Sequence, residues 1–219
     1  MGGGKEKEPR KEQPSSKARI IAVEYRGQAG GATSLQPVLI GDNYNQELYQ
    51  LVNKEIVNTK EKLERVLAGK LDNPELSRTK HPRPGVIERS SRELKQIGRM
   101  QAPLFEERLR ILNGEMPGKI TIYQTPDGDV SRVEVSRLNE QETRVWQPIN
   151  DASRKIKSDE ALGLIVEAFV QLSQKRNGHE SVRAELGTDL KDRYINFLKR
   201  NEELEPVMGN AFRAMREFL

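Results

Sequence analysis

Seven cations fall within residues 77–100, SRTKHPRPGVIERSSRELKQIGRM: Arg78, Lys80, Arg83, Arg89, Arg92, Lys95 and Arg99. The anions there are Glu88 and Glu93, so the run carries 7 − 2 = +5, against +4 for the whole chain. A run of this kind can neutralise phosphates on a nucleic acid or meet an acidic protein surface. In its helical part, Arg92, Lys95 and Arg99 recur at i, i+3 and i+7 and share one face. Pro82 and Pro84 stiffen the approach. No aromatic residue is interleaved with these cations, and no RNP, zinc-finger or KH pattern accompanies them. An acidic protein surface is therefore the preferred partner and nucleic acid the alternative. The plainer reading is a solvated helix face whose cations pair with acids of neighbouring helices.

Other chemistries find little to work with. The chain has no cysteine, which removes disulfides, thiol nucleophiles and thiolate metal sites. Its two histidines, His81 and His179, stand in polar loops far apart in sequence, whereas a metal site needs clustered ligands. Gly27, Gly30 and Gly31 follow a strand-like run, but the lysine of a phosphate-binding loop is missing and Pro37 stands where its helix would begin. Asp127 and Asp129 open like a calcium loop without the later ligands or the closing glutamate. There is no Gly-x-Ser-x-Gly elbow for a serine nucleophile. No catalytic, metal or cofactor-binding residue is assigned, and no small-molecule ligand is expected.

Composition points the same way. Apolar residues make up 35% and charged residues 32%, with aromatics at 5%, so the core must rest on Leu, Ile and Val and stay modest. Such a mixture suits amphipathic helices that complete their burial against a partner. No run approaches the ~20 continuous apolar residues of a membrane span. Met1-Gly2 begins like a myristoylation signal, but Glu6 occupies the position where Ser or Thr is required.

The elements that must carry the basic run read as follows. Residues 1–17 have no hydrophobic period and form a tail. Ala18 to Arg26 is rich in β-branched residues and reads as a strand, and LQPVLIG as a second, held to a sheet edge by Pro37. Tyr44, Leu48, Leu51, Val52, Ile56, Leu63, Val66 and Leu67 recur at helical spacing, with Asp42 or Asn43 as cap and Gly69 as stop. A second helix begins near Val86 and is interrupted by Pro103; a short one then ends at Gly114. ITIYQ and VSRVEV flank Pro126-Asp127-Gly128, a hairpin with its turn chemistry in place, and ETRVWQ reads as a third strand. The last third is helical. Ser158 caps one helix, a second starts at Thr188, and a third at Pro206 carries Met208, Phe212, Met215 and Leu219 on one face.

Within 120–146, Tyr123, Gln124, Thr125, Asp127 and Gly128 form a Tyr-Gln-Thr-x-Asp-Gly turn; Glu134 and Val135 follow, then Glu142, Thr143, Val145 and Trp146. This segment resembles the opening of the bacterial RhuM virulence family, which has that turn, a Val/Ile-Glu-Val strand and Glu-Thr-Val-Trp. The family's next residues, Leu-Thr-Gln, and its helix-turn-helix-like continuation are replaced here by Gln147-Pro148. The resemblance implies a bacterial origin.

The expected fold is α+β and mainly α-helical, with helical bundles and a small antiparallel β-hairpin module. Residues 18–147 would form an α+β domain and 158–219 a C-terminal helical bundle. The expected function is a non-enzymatic, cytoplasmic adaptor or structural subunit of a multiprotein assembly. It would bind other protein subunits through Arg78, Lys80, Arg83, Arg89, Arg92, Lys95 and Arg99, and through Phe212, Met215, Phe218 and Leu219 at the apolar C-terminus. A nucleic-acid-binding accessory protein using the same cations is the alternative.

Overall fold

The computed structural model describes residues 18–27, 34–68, 84–177 and 186–218, with the backbone alone over 84–91 and 175–177. In chain order the elements are β1 (Arg19–Gly27), β2 (Gln36–Ile40), α1 (Gln46–Leu67), α2 (Pro84–Leu112), β3 (Lys119–Gln124) and β4 (Val130–Ser136). They continue with α3 (Glu140–Lys155), α4 (Asp159–Asn177), α5 (Thr188–Arg200), a 3-10 turn (Glu202–Leu204) and α6 (Glu205–Phe218). The fold is mixed α+β and mainly helical.

The sheet runs β2-β1-β3-β4. β1 pairs antiparallel with β2 (Ile20 opposite Leu39) and parallel with β3 (Val23 opposite Ile120). β3 pairs antiparallel with β4, Ile122 opposite Val133, through a turn in which Gly128 takes φ +89°. Residues 18–40 and 119–136 thus belong to one sheet. β1 is buried on both faces, as its nearly continuous apolar run demands. Ile20 and Ala22 join Leu39 and the apolar faces of α3–α6 in the larger core cluster. Ile21 and Val23 join Ile40, Ile120 and Ile122 beneath Leu48 and Val52 of α1 and Leu112 of α2. Residues 146–157, where a domain boundary was expected, fall largely within α3, and the larger cluster holds residues from both sides of them.

Several local expectations are corrected. Residues 142–147 are helix, not strand. Asn139 accepts from the Glu142 amide while the Glu142 side chain accepts from the Asn139 amide, a reciprocal capping box. Val145, Trp146, Ile149 and Ala152 then share a buried helical face. Pro103 does not break α2, which runs unbroken from Pro84 to Leu112. Neither Asp42 nor Asn43 caps α1. Asn45 does so with a left-handed backbone, φ 44°, and its side-chain amide donates instead to Leu39 O at 2.8 Å. Gly69 lies outside the described residues.

α1 and α2 pack closely on each other. Among the described residues, no α1 residue beyond Ile56 belongs to either core cluster, and from α2 Leu112 alone does. The distal part of the pair is held by its own seam of Thr59, Val66, Gly98 and Ala102, each nearly inaccessible. The approach is closest at Gly98, where a Cβ would lie 2.2 Å from Val66 O. Gly98→Ala should therefore force the helices apart, outweighing the ~1 kcal/mol that Ala gains over Gly in a helix. A net loss of about 1–3 kcal/mol is expected from overpacking, measured as a lower midpoint in urea unfolding followed by circular dichroism.

Candidate functional site

The outer surface of α2 carries two side-chain rows of different character. Ile97, Met100 and Leu104 stand at i, i+3 and i+7 and are 43%, 73% and 68% exposed. Arg92, Lys95 and Arg99 form the second row and are also exposed. At about 100° per residue the centres of the two rows lie roughly 140° apart around the helix, with Arg99 and Met100 as their nearest members. The buried side of α2, Gly98 and Ala102, faces α1 and leaves both rows to solvent.

Three contacts from α2 set this surface against the rest of the molecule. Arg108 Nη2 bonds Glu55 of α1 at 2.9 Å and approaches Val133 O of β4 at 3.4 Å. Arg137, in the β4–α3 connection, donates through Nε and Nη2 to both carboxylate oxygens of Glu107. That two-pronged bond holds the Glu107 carboxyl below the usual carboxylate range, against the opposing effect of burial.

A second polar region lies on the sheet. α3–α6 cover the β2–β1 half of one face through Ile20, Ala22 and Leu39. On the β3–β4 half that face carries Thr121, Tyr123, Arg132 and Glu134, with Glu24 and Arg26 beside them on β1. The guanidinium carbons of Arg132 and Arg26 lie 4.1 and 5.9 Å from the centre of the Tyr123 ring. Tyr123 Oη donates to Glu134 at 2.7 Å. Glu24 is buried and accepts from Arg26; Lys119 stands between it (3.9 Å) and Glu142 (2.9 Å). Three cations and three carboxylates balance here, so the region has no net charge with which to select an anion.

The cations and apolar residues singled out in the sequence are distributed unevenly. Arg92, Lys95 and Arg99 share the α2 surface. Arg89 lies on the α2 backbone with its side chain undescribed, and Arg78, Lys80 and Arg83 lie outside the described residues, as do both histidines. Phe212 and Met215 are corrected from partner-binding residues to core: they are 6% and 0% exposed, and Phe212 stacks on Tyr194 at 4.3 Å. Sealing α6 against α3, α4 and α5 satisfies them within the chain. Phe218 is 38% exposed at the end of α6, and Leu219 lies outside the described residues. The exposed row Ile97–Met100–Leu104 was missed. In the sequence Pro103 divides Met100 from Leu104, so the row is not apparent there.

Among the described residues, no group of three or more metal-ligating side chains comes together. No helix there is long and apolar enough to cross a membrane. A cavity of about 20 Å³ lies among Ile20, Ala22, Ile111, Trp146, Ile149 and Asn150. It is of single-water size, since a water needs roughly 10–15 Å³. No family model, curated protein or solved structure matches the chain. The local likeness at 120–146 is divided in the fold among β3, β4 and the first half of α3.

The Glu107–Arg137 contact has a pH signature. A carboxylate whose folded pKa is depressed contributes stability above its unfolded value, about 4.3, and loses it as pH falls through the lower folded value. Arg137→Gln should therefore reduce the loss of stability between about pH 5 and pH 3. Urea unfolding of both proteins across that range measures the difference; parallel pH curves would remove Glu107 as a contributor.

Proposed function

We propose that this chain is a non-enzymatic adaptor or structural subunit of a multiprotein assembly. It offers the outer surface of α2 to an acidic, amphipathic helix of another subunit. The observation that carries this reading is the exposure of Ile97, Met100 and Leu104 in one row of α2, with Arg92, Lys95 and Arg99 exposed on the flank of the same helix. Isolated exposed apolar side chains are ordinary, but three aligned on one helix provide anchors at the spacing a helix-in-groove partner uses. The neighbouring cations favour a carboxylate-bearing partner and speed its approach. A bacterial, cytoplasmic setting is part of the proposal, the first resting on the resemblance at 120–146.

The same cations support a second reading, a nucleic-acid-binding accessory protein. Phosphate neutralisation by Arg92, Lys95 and Arg99 would make binding fall steeply with salt. The apolar row has no role in that reading, and this separates the two.

Capture from a lysate of the source organism, with and without nuclease, discriminates them. For the adaptor, protein partners survive nuclease, and Ile97→Glu with Met100→Glu weakens their retention by about tenfold or more. For the nucleic-acid protein, capture is lost on nuclease treatment and survives those two substitutions. Charge reversal at Arg92, Lys95 and Arg99 then abolishes it. Retention indifferent to both sets of substitutions would move the interface off α2.

A further inference from the structure

We infer that β4 is a self-pairing edge, and that two copies of this chain join β4 to β4 in a two-fold symmetric, continuous sheet. The sheet has two edges, and they differ. β2 is five residues long and contains Pro37, which has no amide to donate, and α4 packs beside it. β4 is seven residues, Val-Ser-Arg-Val-Glu-Val-Ser, without proline or lysine. Its pairing with β3 alternates hydrogen-bonded and non-bonded positions. The approach of Arg108 to Val133 O identifies Val133 as a residue whose backbone groups turn away from β3, and Val135 shares its phase. Arg108 Nη2 is already bonded to Glu55 at 2.9 Å, so its 3.4 Å approach to Val133 is the weaker tie.

Charge chooses the occupant of this edge. Lay a second β4 antiparallel with Val133 opposite Val133. Arg132 then faces Glu134 of the second copy, and Glu134 faces its Arg132. The two side chains are 63% and 53% exposed and stand on the open, polar half of the sheet. Their intrachain contact is 3.5 Å, at the outer limit for a hydrogen bond; Glu134 Oε2 also accepts from Tyr123 and Arg132 lies over the Tyr123 ring, so the other carboxylate oxygen and the remaining guanidinium N–H groups are what would pair across the axis. On the opposite face, Val133 and Val135 already pack at the border of the smaller core cluster, and the second copy would extend that apolar surface. The Val133 residues would exchange both backbone bonds across the axis. Any register displaced by two residues loses both Arg–Glu pairings and sets Arg132 opposite Arg132 or Glu134 opposite Glu134, so the sequence Arg-Val-Glu selects its own copy in this alignment. The outer surface of α2 is not required for it.

The full-length chain in sedimentation velocity, over a range of concentrations, tests the inference. The wild type should form a dimer that dissociates on dilution. Arg132→Glu alone, or Glu134→Arg alone, places like charges opposite each other twice and should raise the dimer Kd by roughly tenfold or more. An equimolar mixture of the two single variants should recover dimers, because each then faces opposite charge. The double swap, Arg132→Glu with Glu134→Arg, should recover them without mixing. Circular dichroism establishes that each variant is folded; should a single variant not fold, the swap decides. A wild type that stays monomeric at the highest concentration overturns the inference. So does a folded single variant with unchanged Kd, or a folded swap that fails to dimerise.

Discussion

Burial of β1 on both faces is the constraint from which the rest of the structure takes its place. Alternation along a strand sends Ile20 and Ala22 one way and Ile21 and Val23 the other. Each set needs a cover, and one set of helices cannot supply both. α3 to α6 close over the first, with Trp146 set against Phe169 at 5.3 Å and Phe212 against Tyr194. α1 and the end of α2 close over the second. A polar substitution in the middle of β1 would therefore open whichever layer its side chain faces, whereas the same change in β4 would touch a half-covered edge.

The uneven thickness of these covers accounts for the low apolar content. The larger cluster draws on four helices, and its members include Leu162, Ile165, Leu172, Leu190 and Met208, all essentially inaccessible. The smaller is closed by only a turn or two of α1 and the last turn of α2. Beyond it, among the described residues, the two helices pack on each other. A two-helix seam buries a narrow stripe and leaves most of each circumference wet, which is why α1 and α2 are rich in Lys, Arg and Glu. Close approach compensates for the narrow stripe. Gly98 lets the α2 backbone come against Val66, where a larger side chain would hold it away.

Much of this was legible in sequence, and the failures have physical causes. β1, β3 and β4 stood out because β-branched residues cluster there and Asp127-Gly128 marks the turn. The run of apolar positions in α1 was legible through its period. The parallel pairing of β1 with β3 was not, because nothing local records a contact between residues a hundred positions apart. Residues 142–147, the start of α3, read as a strand because Thr143, Val145 and Trp146 favour extended backbone; the Asn139–Glu142 capping box outweighs them. Pro103 was given too much weight. The fold tolerates it inside α2, where the exposed side of the helix has room for its ring. As for the candidate site, the row Arg92–Lys95–Arg99 followed from helical geometry alone. Phe212 and Met215 show the limit of that reasoning, since an apolar stripe looks the same whether its cover is the same chain or another.

The two exposed features are unlike in kind, and the difference follows from the elements that bear them. α2 has satisfied its backbone internally, so what it presents is side-chain area: three apolar residues with cations beside them. That surface is indifferent to the partner's backbone and selects by shape and charge. β4 has satisfied only one side of its backbone and presents a row of donors and acceptors, to which Arg132 and Glu134 add a sign. Backbone groups demand an extended partner in fixed register, and a charge pattern that complements itself narrows the choice to an identical strand. Arg108 belongs to α2 and donates to Val133 O, so one side chain ties the two elements together.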